Sequence, residues 1–536
     1  MAAHNVFPES RLPCPSARRE LTTKALLTPP KQRIVIVSNR LPIMLDRCDG
    51  SGWQAKPSSG GLVAALRPIL RERGGLWVGW PGAADVGDTE LAEVGEHLAA
   101  HDNPRMRAVP LNSEEVDDFY KGFSNGLIWP LFHDMPKICR FSADHWRAYC
   151  RVNRKFAEVV AREAAPDDVL WVHDYHLMML GHELSRLRVS SRRGFFLHIP
   201  FPSLELFLEL PWRQQIMDSL LSFDLIAFQT DRDRRNFLQC ADALGERFVV
   251  ESNVKLDVRG RFLDRTAADD KAWSDIQIAT LPISIDYSRV AKDAASDAVQ
   301  HRALQLRVDL RGRRMILGVD RLDYTKGIVH RLRAFQLALE RHAELRGKIT
   351  LVQHLVPSRE KISDYAKLRC DVEQLVSEIN GQFSEPGWVP IHYMYHSLSW
   401  EDLLAYYRIA SIALITPLKD GMNLVAKEYC AAQVEEHGVL ILSEFAGAAA
   451  ELKTGALLVN PHDIASTAES IYQAFVMPKD ERLERMRRLR RTIRNHDVFD
   501  WAEAFLSAAR KKSARSDARA GITPSSHNHR HGMSRA

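Results

Sequence analysis

Short apolar runs that alternate with helix-like stretches constrain this chain more than any other feature of its sequence. Four lie in the first half, at residues 34–37, 169–172, 195–197 and 225–228, and four in the second, at residues 315–319, 349–352, 412–415 and 439–442. Strands that are apolar on both faces are buried between helices, which is typical of parallel sheets. The pattern therefore predicts an α/β chain with two doubly wound, Rossmann-like domains.

The domain boundary is predicted near residue 286, because the pattern stops after residues 281–283 and then restarts. A length of 536 residues also exceeds what one hydrophobic core usually organises. We predict an N-terminal domain at 33–285, a C-terminal domain at 286–495, and a helix at 496–512 that packs back on the N-terminal domain. The ends, residues 1–32 and the basic, histidine-bearing residues 513–536, are predicted to be disordered tails.

The net charge of +5 does not indicate a nucleic-acid-binding protein, because of where it lies. Residues 511–536 hold six basic side chains and one acidic one, and residues 1–32 hold five and two, so the body between them is slightly acidic. Seven scattered cysteines without a Cys-x-x-Cys pair, and no signal-peptide segment, predict a reduced, cytoplasmic location. No apolar run has the length that a bilayer requires, so no membrane partner is expected.

Polar motifs follow five of the predicted strands. They lie at residues 38–40, 173–176, 198–202, 320–327 and 420–423. Polar residues at a strand end are ordinary, and one such motif would carry little weight. In doubly wound sheets, however, ligands bind beyond the carboxyl ends of the strands. Five motifs on these edges therefore predict a small-molecule site in a cleft between two facing domains.

Eight motifs carry a resemblance to a known family. They are SNRLP (38–42), SGGL (59–62), WVGW (77–80), FSN through WP (123–130), HDYH (173–176), HIPFP (198–202), RLDYTKG (321–327) and DGMNLVAKE (420–428). From Arg33 to about Leu506 the chain resembles the trehalose-6-phosphate synthase family, retaining glycosyltransferases of the two-domain GT-B fold. The resemblance implies UDP-glucose as donor, glucose 6-phosphate as acceptor and α,α-trehalose 6-phosphate as product, hence a role in trehalose biosynthesis and osmoprotection.

The donor site needs fixed cations, because a leaving nucleoside diphosphate concentrates negative charge. Arg321 and Lys326 meet this need in a strand-to-helix loop, and Lys326 directly precedes a helix predicted at 328–343, whose amides would also face the diphosphate. The resemblance adds Gly60 and Gly61 at the departing phosphate, His198 and Asp420 on the glucose, and Glu428 on the ribose. Leu398 stands where the family usually has phenylalanine, beside the uracil. The rest of the predicted donor segment is Gly421, Met422, Asn423, Leu424, Val425, Ala426 and Lys427.

The acceptor site is predicted on the other domain, with cations away from the leaving group. The resemblance places Arg40, Arg359 and Tyr120 on the acceptor phosphate, and Trp80 and Trp129 as walls of the pocket. A helix predicted at 358–384 would begin at Arg359, where the helix dipole disfavours a cation, and this mismatch points to a bound anion. Asp174 would orient acceptor hydroxyls, or act as a general base, or simply cap the turn that follows it.

The predicted catalytic residues are Asp174, His198, Arg321, Lys326 and Asp420. The family offers no carboxylate nucleophile, so retention implies a front-face displacement in which the leaving phosphate accepts the proton of the incoming hydroxyl. We predict no cofactor and no metal, since Asp320 and Asp323 flank Arg321 in a loop that supplies cations.

Several alternatives stay open at this stage. The acceptor could be glycerol phosphate or a cyclitol phosphate, and the donor an ADP or GDP sugar. An inactive homologue that only senses sugar phosphate is disfavoured because Arg321, Lys326, Asp420 and Glu428 are all present. A Rossmann dehydrogenase is disfavoured because no Gly-x-Gly-x-x-Gly follows the first strand. The space after the last helical pattern does not fit a phosphatase domain, so a separate trehalose-phosphate phosphatase is expected, while a homo-oligomer is left open.

Overall fold

The computed structural model describes residues 32–48, 52–57, 60–87, 90–91, 105–245, 248–254, 257–263, 273–358 and 363–510. Of the tails predicted at 1–32 and 513–536, all but Gln32 lies outside these residues, and so do Lys511 and Lys512 of the helix predicted at 496–512. None of the described helices is long and apolar enough to cross a membrane.

The strands form two large sheets and a hairpin. Their bounds are β1 (Ile34–Arg40), β2 (Ile43–Cys48), β3 (Gly52–Pro57), β4 (Leu76–Trp80), β5 (Arg105–Ala108), β6 (Val169–His173), β7 (Arg192–Phe196), β8 (Leu225–Phe228), β9 (Phe248–Val254), β10 (Asp257–Leu263), β11 (Trp273–Thr280), β12 (Arg314–Arg321), β13 (Ile349–Val356), β14 (Ile391–Tyr395), β15 (Ile412–Ile415), β16 (Val439–Ser443) and β17 (Leu457–Val459). Among the described residues the first sheet has the order β5-β4-β1-β6-β7-β8-β11-β10-β9 and the second β14-β13-β12-β15-β16-β17, while β2 and β3 pair with each other.

Helices connect the strands. They are α1 (Gly61–Arg73), α2 (Ser113–Glu115), α3 (Trp129–Phe132), α4 (Ala143–Glu163), α5 (Leu180–Arg186), α6 (Leu204–Leu208), α7 (Arg213–Leu221), α8 (Asp231–Leu244), α9 (Tyr287–Ala294), α10 (Asp297–Asp309), α11 (Ile328–Arg341), α12 (Ser363–Phe383), α13 (Trp400–Ile409), α14 (Leu424–Ala432), α15 (Ala449–Leu452), α16 (Ile464–Val476), α17 (Lys479–Asn495) and α18 (Val498–Arg510). A π-helix, Val116–Ile128, joins α2 to α3, and short 3₁₀ turns include Tyr175–Leu177 and Tyr324–Lys326.

The parallel α/β prediction is confirmed, because seven of the eight predicted apolar runs lie within strands and the eighth, 195–197, extends one residue beyond the end of β7. Every pairing within the second sheet is parallel. The first sheet is parallel from β5 to β11 and ends in the antiparallel strands β10 and β9. The strands β1 and β6 are buried along nearly their whole length, as strands covered by helices on both faces must be.

The last helix, α18, lies against the first sheet rather than the second. The ring of Phe505 stacks on Trp171 of β6 with centroids 4.3 Å apart. Arg192 of β7 donates to the carbonyl of Ala509 over 3.0 Å. At its start, the amide of Val498 donates to Ile285, in the segment that crosses between the sheets. The chain therefore crosses from its first half to its second near Ile285 and returns near Val498, and these two segments contact each other. The domain boundaries at 286 and 496 remain predictions.

Candidate active site

The two sheets meet at the carboxyl ends of their strands, where the chain carries glycine. A Cβ added to Gly421 would lie 1.9 Å from the carbonyl oxygen of His198, and one added to Gly61 would lie 2.9 Å from Cδ1 of Leu424. Both contacts join the N-terminal half to the C-terminal half. Any larger residue at 421 would force the two backbones apart, so glycine there is a requirement of the closed cleft.

Lys326 and Asp420 form an ion pair at the centre of this cleft. The Lys326 ammonium lies 2.6 Å from Oδ2 of Asp420, and both side chains are largely buried. Burial raises the pKa of Asp420, but the Lys326 ammonium and the Asn423 amide outweigh it, so the pKa lies below its usual value. The predicted diphosphate cation and the predicted glucose-binding carboxylate therefore neutralise each other here, and a donor has to replace this contact.

Arg321 provides a second cation at the end of β12. Its side chain is exposed and makes no hydrogen bond or ion pair with the residues that the structure describes. The helix α11 begins at Ile328, close to where the sequence predicted it, and ends at Arg341, two residues earlier than predicted. A guanidinium without a described partner, at the start of the loop that leads to a helix N-terminus, is suited to binding an anion.

The segment from Asp420 to Glu428 leads into α14 through an asparagine cap. Asp420 does not cap α14; Asn423 does, through Oδ1, which accepts from the amide of Ala426 over 3.1 Å. That amide is therefore used within the helix, and the amides of Leu424 and Val425 remain as candidates to face a nucleotide. Asn423 has φ 82°, a left-handed conformation that asparagine tolerates better than most residues.

Lys427, predicted as part of the donor segment, has its side chain turned into the core instead. It is buried, lies 2.7 Å from Glu451, and donates over 2.8 Å to the carbonyl of Ile283. It fastens α14 to the segment that crosses between the sheets. Met422 is also buried, so a donor contact at either position is left to the backbone.

Glu428 lies one helical turn beyond the cap and is half-buried. Burial raises its pKa to about 7, against the opposing effect of the Tyr407 hydroxyl, which donates to it over 3.2 Å. A carboxyl group that titrates near neutrality can change its hydrogen bonding to a ligand within the physiological pH range. Leu398 lies half-buried in the loop before α13, next to Ser399, which caps that helix.

The structure brings three of the predicted acceptor residues together. The Arg40 guanidinium lies over the ring of Trp80 at 4.4 Å and over that of Tyr120 at 5.2 Å. Arg40 has no carboxylate partner among the described residues. Gly82 approaches so closely that an added Cβ would lie 2.8 Å from the guanidinium, which limits where it can move. Arg359, the predicted second phosphate ligand, lies outside the described residues.

Trp129 packs beside this group rather than on Arg40. Its ring lies 4.2 Å from that of His133 and 5.8 Å from that of Tyr175. Tyr120 stacks on His176 with centroids 5.8 Å apart and lies within the π-helix. Wide helical turns of this kind are rare and frequent at functional sites, and this one places Tyr120 toward Arg40.

Asp174 has a strained backbone and does not cap the turn after it, so that alternative is wrong. Its φ is 76°, outside the range that aspartate normally occupies, and its side chain makes no capping hydrogen bond to Tyr175–Leu177. Instead its Oδ1 accepts from the amide of His198 over 3.2 Å. Strain of this kind persists only where the surrounding structure enforces it, and it is found mostly at active sites.

His198 is held by His173, from the HDYH motif, and by Gln229, which the sequence analysis did not single out. Gln229 accepts from the amide of Ile283 through Oε1, so its Nε2 is the atom that donates to Nδ1 of His198, at 3.4 Å. With Nδ1 an acceptor, the proton of His198 lies on Nε2, which donates over 3.0 Å to His173. Burial lowers the pKa of His198 to about 3, so the ring is neutral. Gln229 follows the last residue of β8, so the rule for strand ends would have found it.

This arrangement limits the role predicted for His198. Both of its ring nitrogens are engaged within the protein, so a ring contact to glucose requires one of these hydrogen bonds to be exchanged. The neighbouring backbone, which also contacts Gly421, offers a second route to the donor.

The described residues contain no group of three or more His, Cys, Asp or Glu side chains that could hold a metal ion. The two aspartates around Arg321 have other partners. Asp320 forms a buried pair with Arg331 at 2.6 Å, and Asp323 accepts from both the amide and the hydroxyl of Thr325.

Two ion pairs span the cleft, and neither was predicted. Lys419 lies 2.5 Å from Asp134, and Arg140 lies 3.1 Å from Asp364. Burial lowers the pKa of Lys419 even though Asp134 raises it. They connect the helical region after β5 to the second half of the chain.

Comparison with known proteins gives consistent matches over nearly the whole described chain. Residues 32–511 match the model of glycosyltransferase family 20. The trehalose-6-phosphate synthase of Mycolicibacterium smegmatis is 41% identical over 477 residues, covering 88% of this chain and 92% of that protein. An alpha,alpha-trehalose-phosphate synthase (UDP-forming) of Burkholderia xenovorans, solved in complex with glucose-6-phosphate, matches with a TM-score of 0.78 at 34% identity, over 89% of this chain and 100% of that one. The E. coli protein bound with UDP-2-fluoro glucose matches with a TM-score of 0.78 at 33% identity, over 90% of this chain and 100% of that one.

Proposed function

The chain belongs to glycosyltransferase family 20, and from this premise we propose that its cleft makes α,α-trehalose 6-phosphate by moving glucose, with retention, from UDP-glucose to glucose 6-phosphate. The relatives solved with glucose-6-phosphate and with UDP-2-fluoro glucose support both substrates.

The observation that carries the proposal is a pair of cation sites on opposite sides of one cleft. On the first side Arg40, without a carboxylate partner among the described residues, lies over Trp80 and Tyr120. On the second, Arg321 is exposed, and within the described part of the chain Lys326 pairs only with Asp420. A transferase that joins a sugar nucleotide to a sugar phosphate has to hold two phosphate groups at once, one at each end of the reacting sugars.

The mechanism we propose is a front-face displacement. Arg321 and Lys326 stabilise the charge that grows on the leaving phosphate, which takes the proton of the attacking hydroxyl. Lys326 turns from Asp420 to the phosphate, and Asp420 then accepts from hydroxyls of the donor glucose. Asp174 orients the acceptor, and the closed contact between Gly421 and His198 helps to exclude water. In this scheme side-chain cations take the place of a metal ion.

The proposal is tested at the acceptor phosphate with Arg40→Ala. Removing one cation from a desolvated dianion costs on the order of 2–5 kcal/mol, which is roughly 30-fold to several thousand-fold in kcat/KM for glucose 6-phosphate. UDP binding, measured by calorimetry, should change by less than about threefold, because Arg321, Lys326 and Glu428 belong to the other half of the site.

Arg47→Ala is the matched control. Its guanidinium also lies over a tryptophan, Trp53, at 5.9 Å, but on the β2–β3 hairpin. Unphosphorylated glucose should be an equally poor acceptor for the wild type and for both variants. Use of free glucose as readily as glucose 6-phosphate, or normal acceptor kinetics in Arg40→Ala, would contradict the assignment.

We also propose a cytoplasmic location, because Cys139, Cys150, Cys240, Cys370 and Cys430 are free thiols. Hydrolysis of the product phosphate is proposed to belong to a separate phosphatase. Among nucleotides we favour UDP, which a comparison of UDP-, ADP- and GDP-glucose as donors would test.

A further inference from the structure

A basic cavity lies at the edge of the second sheet away from the active site. It has a volume of ≈390 Å³ and is lined by Arg311, Gly312, Arg313, Arg314, Gly347, Lys348 and Phe475. Six of these residues lie at or just before the starts of β12 and β13, and Phe475 lies near the end of α16. Arg321, in the candidate active site, is the last residue of β12. Eight residues of strand separate the two places by about 25 Å.

The cavity holds uncompensated positive charge. Four of its lining residues are cations and none is an acid, and Arg482 lies close enough to lower the pKa of Arg314, after burial as the main cause. None of these five cations forms an ion pair with a described residue. Lys348 also helps to lower the pKa of Glu344, an exposed residue whose pKa is lowered mainly by hydrogen bonds to its own backbone and to Tyr472.

Helix ends compensate only a small part of this charge. Arg314 donates to the carbonyl of Phe475 near the end of α16, and α10 ends just before Arg311. A helix C-terminus carries roughly half an elementary negative charge, so the two helix ends together supply about one negative charge. Most of the positive charge therefore remains without a partner.

Backbone conformation and side-chain contacts both constrain the positions of these residues. Arg311, Gly312 and Gly347 have φ of 49°, 80° and 71°, all in the left-handed region. Arg313 donates to the carbonyl of Gly387, and the Arg314 guanidinium lies 4.8 Å from the centre of the Phe475 ring. The side chains of Arg313 and Arg314 are therefore held by contacts before any ligand binds, which lowers the entropic cost of binding at these two residues.

We propose that this cavity binds a compact anion with two or more phosphate groups. Guanidinium groups match phosphate oxygens in a bidentate manner, and several cations favour a multivalent anion. The volume fits a small molecule rather than a nucleic-acid strand. The inference concerns residues outside the cleft and does not rest on the proposed function.

The experiment is a calorimetric titration of the full chain with inorganic pyrophosphate at low salt. The comparison variant is Arg311→Gln/Lys348→Gln, whose two substitutions are at exposed residues. The wild type should bind one more pyrophosphate than this variant, or should bind pyrophosphate at least tenfold more tightly. Pyrophosphate that binds in the active-site cleft should bind both proteins equally, so it does not affect this comparison. Inorganic phosphate should bind the cavity at least tenfold more weakly than pyrophosphate.

Arg488→Gln/Arg491→Gln is the control, on the exposed face of α17, where Arg488 pairs with Glu484. It should bind pyrophosphate as the wild type does. Both double variants should keep normal transferase kinetics without pyrophosphate. Equal stoichiometry and affinity in the wild type and the cavity variant would overturn the proposal, and so would equal binding of phosphate and pyrophosphate.

Discussion

At the scale of single residues, Glu428 gives the site a pH dependence. Its pKa is raised by burial to about 7, so the carboxyl is mostly neutral below that pH and mostly ionised above it. Only the ionised form accepts from two ribose hydroxyls at once. The KM for UDP-glucose should therefore rise as the pH falls below about 7, by up to about tenfold one unit below the pKa.

Glu428→Gln is the check on this prediction, because an amide does not titrate. The variant should have a higher donor KM at high pH and no change in KM across the same range. UDP-glucose is the right probe because, unlike UDP, it has no terminal phosphate that titrates near this pH. If the KM of the variant still depends on pH, a group other than Glu428 is responsible for that dependence.

Gln229 is a positioning residue whose effect can be separated from a structural one. Gln229→Glu keeps the acceptor for the Ile283 amide but replaces the donor to Nδ1 of His198 with an acceptor. The proton of His198 should then move to Nδ1, or the ring should become charged, and ¹⁵N chemical shifts report either change. We expect a loss of about two- to tenfold in kcat/KM, the value of one hydrogen bond. Unchanged ¹⁵N shifts would contradict the assigned tautomer.

At the scale of an element, helix α14 depends on one asparagine with two functions. Asn423 caps the helix and also occupies a left-handed conformation at φ 82°. Asn423→Ala loses the cap and puts alanine, which tolerates the left-handed conformation less well than asparagine, at this φ. The two effects together should cost about 2 kcal/mol of unfolding free energy. Asn423→Gly loses the cap alone and should cost clearly less.

Ser399→Ala, at the cap of helix α13, is the matched comparison for the Asn423 variants at the cap of α14. Ser399 caps α13 by accepting from Asp402 at an ordinary φ of −64°, so its replacement should cost only the cap, about 1 kcal/mol. Urea unfolding of the three variants measures these differences. A smaller loss for Asn423→Ala than for Asn423→Gly would show that the left-handed backbone is not costly here.

At the scale of the whole molecule, the pair between Lys419 and Asp134 joins the two halves asymmetrically. The Lys419 side chain is 10% exposed and that of Asp134 is 49% exposed. Asp134→Asn, which tolerates the local φ of 60°, leaves a poorly hydrated ammonium and should cost about 1–3 kcal/mol. Lys419→Met leaves a carboxylate that water can solvate and should cost under about 1 kcal/mol. Thermal unfolding that ranks the two variants the other way would refute this asymmetry.

The sequence by itself determined the α/β class and the edge on which the site lies. Buried parallel strands have no polar face, so runs such as 34–37 and 412–415 are apolar throughout and can be recognised without their partners. Polar residues at their ends then mark the ligand-binding edge. Shorter or more polar strands, such as Arg105–Ala108, lack this signal and were missed.

Only the tertiary structure decided what the individual side chains contact. Asp420 pairs with Lys326, which is 94 residues away, and Lys427 turns into the core to meet Ile283. Gln229 fixes the proton of His198 because the segment that crosses between the sheets supplies the amide of Ile283. Hydrogen bonds and ion pairs act over a few ångströms, whereas sequence patterns report only whether a position is buried. The partners of polar groups are therefore settled by packing between distant segments.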